Sequence, residues 1–462
     1  MNASMLTVAP AVDALRSQIA GTVITPSDEG YDEARLAWNL AAEQEPFAVA
    51  YPESAEDVVA IVRWARAIGL HVAPQGTGHG ATALEALGET ILLKTERMRG
   101  VEIDPVARNV RAEAGAIWTD VTGPAAEHGL VPLHGSSPNV GVVGYTLGGG
   151  MGWLARSHGL ASNSVTAVEI VTAGGRHIRA DRERNADLFW AVRGGGGSFG
   201  VVTAIEFELY PLTEVYAGWL VFPIERSSEV LHAYNAWSQS APDEVTGSVS
   251  ILRLPPLPDI PEPLRGRALV RVEAVYQGDE ASGAELMRPL RELGPELDTF
   301  AVIPASALTH FHQDPEDPVP GIGDGMMVGE LSPEAIDAVV AAAGPDSGSP
   351  LLMVELRQLG GALARPNSDH GVTDALRGAH AMYAVGLPMT PELAAAIPPS
   401  IDGVKRALEP WATDHGYFNF SEAEVDADEL FDESTYRLLQ QIKSRYDADE
   451  LFVSNHPVRP AR

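Results

Sequence analysis

The chain has 462 residues, of which 45% are hydrophobic, so it can bury a sizeable core and we expect two or three lobes. Its formal net charge of −31 would repel nucleic acid and anionic membrane surfaces, and we expect neither as a partner. The sequence contains no cysteine, which excludes disulfides, thiolate catalysis, iron–sulfur clusters and cysteine-ligated zinc.

The N-terminal segment, residues 1–45, predicts one helix over Val12–Ile19, followed by a connection that proline and glycine interrupt. It has neither a basic start nor an uninterrupted apolar stretch, and the chain contains no run of about eighteen apolar residues. We therefore expect an unexported, cytoplasmic protein without membrane spans.

Residues 46–80 predict a strand, a helix and a second strand. Ser54 is the expected N-cap of the helix, Asp57 lies in its first turn, and Gly69 ends it. The second strand ends in a glycine-rich turn, Gln75–Ala81. Because α/β folds bind ligands at the carboxyl ends of strands, this turn is a candidate binding loop. Further apolar segments follow, with a helix predicted over Trp118–His128.

A second glycine-rich loop, HGSSPNVGVVGYTLGGGMGWLARSHGLASN, covers residues 134–163. Glycine clusters allow backbone amides to approach a ligand that side chains would block, and such amides bind phosphate without any lysine. Valine, tyrosine, leucine and tryptophan are interleaved with the glycines, which is not typical of a flexible linker. The loop therefore predicts a binding site for a phosphate or a flat ring system.

A third glycine cluster follows a predicted hairpin, SVTAVEIVTAGGRHIRA, and a short helix. It contains a formal GxGxxG pattern at Gly195, Gly197 and Gly200. The dinucleotide-binding motif must open a helix, whereas VVTAIEFEL after this cluster has strand character, so we reject that interpretation. No GxxxxGK[ST] motif is present. The three turns indicate a fold that binds one large cofactor through several loops.

Residues 213–408 predict a second domain, an antiparallel sheet that carries helices on one face. The tail from Tyr417 predicts a short aromatic strand, YFNF, and a helix over Glu433–Tyr446. The strands expected in the second domain are Tyr216–Phe222, Gly247–Leu254, Ala268–Tyr276 and Leu351–Leu359, and its helices are Ser227–Ser240, Ala281–Leu293 and Ser332–Ala343.

Taken together, PQGTGHGA, the loop at 134–163, DLFWAVRGGGGSFGVVTAIEFELYP and the C-terminal YFNF and LFVSN resemble the berberine-bridge-enzyme-like branch of the vanillyl-alcohol-oxidase flavoprotein superfamily. The resemblance spans nearly the whole chain. It implies an α+β fold, in which a split PCMH-type FAD-binding domain receives an inserted antiparallel-sheet/helix substrate domain. The implied boundaries are 1–212 for the FAD-binding domain with its two α+β subdomains, 213–408 for the substrate-binding domain, and 409–462 for the returning segment.

The resemblance implies FAD as the cofactor, with His79 at the position where the family's histidine bonds to the flavin. Many relatives attach the flavin a second time, through a cysteine before a proline. Ser137 precedes Pro138 here, and the chain has no cysteine. We therefore expect covalent FAD held through His79 only. The other expected cofactor-binding residues are Gln75, Gly76, Thr77, Gly78, Gly80, Ala81, Ser136, Ser137, Val140, Gly141, Gly144, Tyr145, Gly148, Gly149, Gly152, Trp153, Asn163, Gly200, Val201, Asn419 and Asn455.

Val140 occupies the position that, in the resembling family, gates the access of oxygen to the flavin. A valine there goes with oxidases and an isoleucine with dehydrogenases. We expect an oxidase that takes a hydride from a small alcohol, amine or hydroxylated natural product and gives hydrogen peroxide. The alternatives are a dehydrogenase or cyclising oxidoreductase that uses another acceptor, and a catalytically altered flavin-binding protein.

Hydride removal from an alcohol also needs a group that takes the O–H proton. In alcohol- and sugar-oxidising relatives this group is the second tyrosine of a YxNY element, but Phe420 stands there in Tyr417-Phe418-Asn419-Phe420. Amine oxidation needs less of a base, because a neutral amine can lose hydride directly. The expected catalytic residues are Glu355, Arg357 and Tyr417, and the expected substrate contacts are Tyr383, Gln358 and Phe420.

Strand alternation over MVELRQLGG puts Glu355, Arg357 and Leu359 on one face and Val354, Leu356 and Gln358 on the other. The Glu/Arg pair is either functional or a structural ion pair. His310 and His312, in HFHQD, are weak evidence for a metal site, and we predict none. The sequence leaves the oligomeric state open.

Overall fold

The computed structural model describes residues 12–84, 87–258, 260, 262–423, 425 and 427–461. Residues 12–16 are helical, so this helix is shorter than the predicted Val12–Ile19. Three main sheets carry the rest of the described chain, two within residues 22–208 and one within 214–386. This mixture of helices and mainly antiparallel sheets confirms the α+β fold class.

The first sheet has four strands in the order β1-β2-β4-β3. Strands β2 and β3 both run parallel to β4, while β1 is antiparallel to β2. The helix Ala55–Ile68 joins β2 to β3; Ser54 caps its first turn by accepting the Asp57 N–H, and Gly69 ends it with φ of 77°. The strands are β1 (Thr22–Ile24), β2 (Ala48–Tyr51), β3 (His71–Gln75) and β4 (Thr90–Lys94).

The second sheet has five antiparallel strands in the order β5-β6-β10-β8-β9. Strand β10 directly follows the GxGxxG cluster, which confirms that this cluster opens a strand and not a helix. The strands are β5 (Val101–Asp104), β6 (Asn109–Glu113), β8 (Val165–Val171), β9 (His177–Asp181) and β10 (Val201–Glu208), and a separate pair is β7 (Leu130–Val131) with β11 (Tyr210–Pro211).

The third sheet has eight strands in the order β15-β12-β14-β13-β18-β19-β17, with β16 also paired to β12. All of its pairings are antiparallel. The strands are β12 (Glu214–Pro223), β13 (Val245–Arg253), β14 (Ala268–Tyr276), β15 (Leu297–Asp298), β16 (Ala301–Pro304), β17 (Ile322–Val328), β18 (Met353–Gln358) and β19 (His380–Gly386).

Helices cover one face of the third sheet. Val354 and Leu356 of β18 pack there in the large apolar core, as the alternation predicted. The helices of this domain are Ser227–Ser240, Glu280–Arg291, Pro333–Ala343 and Pro391–Leu408. The opposite face of the sheet is therefore free to meet the rest of the chain.

The tail returns to the first two sheets. The helix Glu433–Tyr446 has the predicted bounds, and Leu439 and Ile442 pack into the core of the second sheet. Its Lys443 is buried, and the ammonium group donates to the Ser198 carbonyl at 2.7 Å and to Asp447 at 2.6 Å. We therefore propose the division of the chain at 212 and 408 as domain boundaries.

The predicted strand at YFNF was wrong, because Phe418–Phe420 forms a single 3₁₀ turn. None of the helices described is both long and apolar enough to cross a membrane. The remaining helices precede the third sheet in the chain and are Tyr31–Ala34, Trp118–Ala126, Val142–Leu147, Ala155–His158 and Ala186–Val192.

Candidate active site

The glycine-rich loop at 134–163 folds against the C-terminal 3₁₀ turn. The Asn419 amide donates to the Tyr145 carbonyl at 2.9 Å. A β-carbon on Gly148 would lie 1.8 Å from Asn419 Oδ1, and one on Gly149 would lie 3.3 Å from the Tyr417 ring. Gly149 also has φ of 109°. Only glycine fits these positions, because the backbone itself is the surface that the tail contacts.

The third glycine cluster meets the same turn. A β-carbon on Gly196 would lie 2.3 Å from the Phe418 ring. Ser198 shares a hydrogen bond of 2.8 Å with Ser454, and Asn455 donates to the Gly80 carbonyl at 2.7 Å. All three glycine-rich turns are therefore joined through residues 417–419 and 454–455.

His79 lies in the first glycine turn with one ring nitrogen free. Its Nδ1 and the Thr77 hydroxyl are 2.7 Å apart, and its ring stacks on Trp38 at 4.0 Å. Nε2 is buried and has no hydrogen-bond partner. Burial lowers the pKa of His79 to about 4, against smaller opposing contributions from Asn139 and Asp314. The imidazole is therefore neutral at pH 7 and keeps a free lone pair or N–H at Nε2.

A loop of the domain that carries the third sheet, residues 313–321, covers this region. Asp314 accepts hydrogen bonds of 3.0 Å from both Ser136 and Ser137. The Asp314 side chain keeps 28% of its surface exposed, so it is not sealed in the core. The serine hydroxyls and His312 oppose the effect of burial and hold the pKa of Asp314 below its usual value.

The same loop forms hydrogen bonds with the N-terminal segment. The Trp38 indole N–H donates to the Glu316 carbonyl at 3.4 Å, and the Asn39 side chain exchanges two bonds of 3.0 Å with the backbone of Gly321. Trp38, which stacks on His79, is therefore fixed by a loop of the domain that carries the third sheet.

The third sheet presents two rows of mainly polar residues on its helix-free face. The rows follow the strand pairing across β14, β13, β18, β19 and β17. The first row is Arg271, Ser250, Glu355, Tyr383 and Gly325, and the second is Glu273, Ser248, Arg357, Ala381 and Met327.

Glu355 and Arg357 form a buried ion pair at the centre of these rows. Arg357 Nη2 lies 3.1 and 3.2 Å from the two Glu355 oxygens, and the Ser248 hydroxyl also donates to Glu355. Burial raises the pKa of Glu355, but Arg357 and His312 outweigh it and leave the pKa below its usual value. The Arg357 guanidinium lies 5.3 Å above the Trp153 ring and 5.6 Å above the Phe420 ring.

A second buried charge group adjoins the first. Glu273 lies 3.2 Å from Arg271 Nη2 and 2.8 Å from His312 Nδ1. Burial lowers the pKa of His312, but Glu273 and Asp314 outweigh it and raise the pKa above its usual value. When His312 carries a proton, it and the two arginines supply three positive charges beside the three carboxyl groups of Asp314, Glu273 and Glu355.

The ligand atoms of Glu273, His312 and Glu355 all lie within 4.8 Å of one another, which is compact enough for a metal ion. Two guanidinium groups already supply the positive charge there, so we interpret the group as an ion network. His310 points elsewhere, because its Nδ1 pairs with the exposed Glu316 at 3.1 Å.

Tyr383 and Phe420 lie together on the helix-free face of the third sheet; we call the space between this face and the glycine turns the cavity. Their rings lie 5.1 Å apart, and Phe420 also packs edge-on against Tyr417 at 5.2 Å. Tyr417 is only 3% exposed, and its oxygen lies 3.4 Å from the Asn419 amide, which donates to it. The Tyr383 hydroxyl donates to Glu422.

Gln358 does not join this group. Its side-chain amide donates to the Ser238 carbonyl at 2.6 Å and its Oε1 accepts the Gly247 N–H, so it faces the helices. The predicted substrate contact at Gln358 was wrong, because strand alternation places its side chain on the opposite face from Glu355.

The other predicted cofactor residues lie along the three turns. Val140 is half-buried, and its carbonyl accepts the Trp118 N–H at 3.1 Å. Asn163 accepts the Gly371 N–H at 3.4 Å. A β-carbon on Gly200 would lie 2.7 Å from Val171 O, so this glycine serves packing within the sheet.

Sequence reasoning missed Trp38, Asp314 and Glu422. Trp38 and Asp314 lie in connections without periodicity, and Asp314 meets serines 177 and 178 positions away. Glu422 follows Phe420 by two residues, so its position next to the altered YxNY element was the one available signal.

Comparisons with known proteins agree with the prediction that the glycine-rich turns bind FAD. Residues 46–181 match the FAD binding domain family. The FAD-linked oxidoreductase pgmH of Aspergillus terreus is 30% identical over 62% of this chain and 58% of its own length. (R)-6-hydroxynicotine oxidase of Paenarthrobacter nicotinovorans is 36% identical over 44% of this chain and 45% of its length. The FAD-linked oxidoreductase YvdP of Bacillus subtilis is 30% identical over 67% of each chain.

The chain thus spans less than two thirds of pgmH and less than half of the nicotine oxidase. Solved structures match over nearly the whole chain. BBE-like 1 of Physcomitrella patens superposes with a TM-score of 0.86 at 18% identity, covering 98% of this chain and 99% of that one. Glucooligosaccharide oxidase of Acremonium strictum, described with a 6-S-cysteinyl, 8α-N1-histidyl FAD, superposes with a TM-score of 0.81 at 22% identity, covering 98% and 99%.

Proposed function

Because the chain belongs to the berberine-bridge-enzyme-like FAD-linked oxidoreductases, we propose that it is an oxidase of a small amine, alcohol or hydroxylated natural product. When bound, FAD would supply the hydride acceptor, and oxygen would then take up the electrons to give hydrogen peroxide. The proposal rests on one juxtaposition: the glycine turns with the free nitrogen of His79 face the polar rows of the third sheet.

The residues present fit FAD. Gly76 and Gly144 have open space where a side chain would be, apart from one atom 3.9 Å from the Gly76 position, so the backbone there can approach a flat group. The buried Nε2 of His79 is the orphaned polar atom that a covalent bond to the cofactor would use. Gln75–Ala81, Ser136, Ser137 and Gly141–Gly152 would hold the cofactor.

We propose a single covalent link, through His79. Its lowered pKa keeps the imidazole neutral, as a nucleophile must be, and Thr77 and Trp38 fix the ring. Where glucooligosaccharide oxidase has a cysteinyl link, this chain can make none, and Ser137 instead donates to Asp314. A histidyl link raises the flavin potential and prevents loss of the cofactor, which suits oxidation of a C–H bond beside O or N.

Arg357 would orient the substrate. Its guanidinium group lies over the Phe420 ring, and the ion pair with Glu355 fixes the orientation of that group. Its donors would bind a substrate oxygen or nitrogen lone pair. Trp153 and Phe420 would exclude water from the reacting carbon, and Tyr417 would hold the C-terminal turn on Gly149.

The first experiment is a visible spectrum of the purified protein after acid precipitation. We expect the yellow colour to stay in the wild-type pellet and to appear in the supernatant of a His79→Ala variant. His128→Ala, at an exposed histidine outside the three glycine-rich turns, is the matched control. Release of the colour from the wild type and from both variants would contradict the covalent link, and a colourless wild-type protein would contradict FAD binding.

The second experiment tests the reaction. The enzyme is mixed anaerobically with (R)-6-hydroxynicotine, a glucooligosaccharide, a xylooligosaccharide and simple aliphatic and benzylic alcohols, and flavin bleaching is recorded. At least one compound is expected to bleach the flavin, and air should restore the colour with formation of peroxide. Failure of every compound would favour a catalytically altered flavin-binding protein, whereas slow recovery in air would favour a dehydrogenase.

A further inference from the structure

Phe420 cannot accept a proton, but the ring that packs against it, Tyr383, carries a hydroxyl group. Tyr383, on β19, directs its hydroxyl to the Glu422 carboxylate and donates to it. Both side chains keep part of their surface exposed, so they are not sealed in the core. The Phe420 ring separates this pair from Tyr417 and lies 5.1 Å from Tyr383.

The other candidates cannot easily take a proton. Glu355 is 1% exposed and already accepts from Ser248 and Arg357. Arg357 has no acceptor, because a guanidinium stays protonated in proteins. Tyr417 is 3% exposed and accepts the Asn419 amide.

Asp314 is also partly exposed, but its carboxylate already accepts hydrogen bonds from the glycine loop. One of its oxygens accepts from both Ser136 and Ser137 at 3.0 Å. These bonds stabilise the anion, and the pKa of this carboxyl is lowered although burial raises it. It is therefore a weak base beside the glycine loop.

The edge strand β17 is shaped to admit the Tyr383–Glu422 pair. A β-carbon on Gly323 would lie 2.4 Å from the Tyr383 oxygen and 3.2 Å from Glu422 Oε2. One on Gly325 would lie 2.8 Å from Phe420. Glycine at both positions thus leaves room for the phenol, the carboxylate and the phenyl ring on the cavity side of the sheet.

We propose that Tyr383 and Glu422 together form the proton acceptor of this enzyme, replacing the tyrosine that relatives have at the position of Phe420. The proposal rests on the proposed oxidase function. In the step, the substrate O–H or N–H bond breaks and its proton binds Tyr383 Oη. The original phenol proton moves along the existing hydrogen bond to Glu422. The electron pair of the substrate C–H bond would leave as hydride, and FAD, when bound, would supply the acceptor.

The electrostatics of the pair suit this role. Burial and the nearby charge of Asp324 raise the pKa of Glu422 to about 7, against the hydrogen bond from Tyr383. Burial and the Glu422 charge raise the pKa of Tyr383 well above its usual value, so the phenol keeps a proton that it can pass on. A base is most effective when its pKa lies near the working pH. The charged and titratable groups around the pair are Asp324 on β17, Lys405 of the helix Pro391–Leu408, His456 of the tail, Arg357 on β18 and Asp314.

The kinetic test uses whichever compound of the panel bleaches the wild-type flavin. Tyr383→Phe and Glu422→Gln are each expected to slow anaerobic flavin reduction by about 100-fold or more. The wild-type rate should rise as Glu422 loses its proton near pH 7, and this rise should be absent in Glu422→Gln. The matched control is Tyr446→Phe. Tyr446 lies at the end of the C-terminal helix and also donates to a carboxylate, that of Asp187, so this variant loses the same kind of bond and should react at the wild-type rate.

Rescue separates proton transfer from a structural role. Phe420→Tyr in the Tyr383→Phe background restores a phenol at the position that relatives use and is expected to recover at least a tenth of the wild-type rate. A merely structural Tyr383 would gain nothing from that change. Unchanged rates in Tyr383→Phe, or an unchanged pH profile in Glu422→Gln, would overturn the proposal.

An infrared titration tests the pair without any turnover. A carboxylic-acid C=O band that titrates near pH 7 in the wild-type holoenzyme and is missing in Glu422→Gln supports the assignment. Absence of such a band would overturn it. If no compound bleaches the wild-type flavin, the oxidase function fails, while the infrared result still decides whether the pair shares a proton.

Discussion

Gly148 marks the place where the glycine loop and the C-terminal turn have no space between them. A β-carbon there would lie 1.8 Å from Asn419 Oδ1 and 3.2 Å from the Phe418 ring. We predict that Gly148→Ala displaces residues 417–420, destabilises the protein by about 1–3 kcal/mol as overpacking does, and lowers its flavin content. Thermal unfolding and the ratio of flavin to protein absorbance measure the two effects.

The control for this change is Gly403→Ala. Gly403 lies within the helix Pro391–Leu408, and no atom outside the backbone of that helix lies within 4 Å of the added carbon. Alanine there should be neutral or stabilise the helix by about 0.5–1 kcal/mol. A Gly148→Ala protein with wild-type stability and full flavin would contradict the close contact.

Val140 bears on the choice between oxidase and dehydrogenase. It is half-buried, and its carbonyl bond to the Trp118 N–H fixes the backbone, so a larger side chain cannot retreat by moving the chain. We predict that Val140→Ile slows reoxidation of the reduced enzyme in air by at least about 10-fold, through a steric barrier to oxygen. Stopped-flow absorbance measures this rate, and the anaerobic reduction rate of the same variant, which should not change, is the internal control. Equal reoxidation rates would remove the gating role.

Strand β18 carries the buried pair Glu355 and Arg357, and its energetics are testable as a unit. We predict that Arg357→Met destabilises the holoenzyme by about 3–5 kcal/mol, because it leaves the Glu355 charge buried without its partner. The double variant Glu355→Gln/Arg357→Met should be less destabilised than the sum of the two single variants. Denaturant unfolding at equal flavin content gives these values. Strict additivity would show that the two side chains act independently.

The same strand shows how far sequence reasoning reaches. Its alternation predicted correctly that Glu355 and Arg357 share a face opposite Val354 and Leu356, because side chains in a strand have a period of two. The helix Ala55–Ile68 was likewise predictable from its Ser54 cap and Gly69 end. Local chemistry determines such features, so one stretch of sequence is enough.

The remainder depends on contacts between distant segments. Asp314 reaches Ser136 across 178 residues and Glu422 reaches Tyr383 across 39, and no periodicity encodes either meeting. The YFNF turn was predicted as a strand because it is aromatic, yet its backbone folds back on itself, with the Phe420 N–H donating to the Tyr417 carbonyl at 3.0 Å. The Asn419 side-chain amide then bonds to the Tyr145 carbonyl in the glycine loop. Gln358 was assigned to the substrate although the alternation of its own strand already placed it on the helix side.

At the scale of the whole molecule, the site belongs to neither part alone. Residues 313–321 of the sheet domain hold Trp38 and Asn39 of the N-terminal segment, and the tail joins the glycine turns to β17. Closing these parts together buries several ionisable groups. Their protonation therefore couples the stability of the fold to pH.

Two buried histidines outside the proposed covalent link contribute to this coupling on the acid side. Burial lowers the pKa of His134 and His380 to about 4, whereas an unfolded histidine has a pKa of about 6.5. The unfolded chain therefore binds more protons between pH 6.5 and 4. The contribution of each histidine is fully present above about pH 6.5 and is lost as the pH falls toward 4, by on the order of 3 kcal/mol per residue.

His380 gives the sharpest test, because it lies on the helix side of β19 and away from the cavity. Both of its ring nitrogens are buried without a hydrogen-bond partner, and its nearest aromatic ring is Tyr234 at 6.2 Å. We predict that His380→Phe, which keeps the ring and removes the titrating group, raises the unfolding temperature slightly at pH 8 and much more at pH 5. Thermal unfolding of the holoenzyme across this range, with the exposed His128→Gln as control, measures the difference. Parallel curves for His380→Phe and the wild type would mean that burial of this imidazole does not couple folding to protons, and that acid lability arises elsewhere.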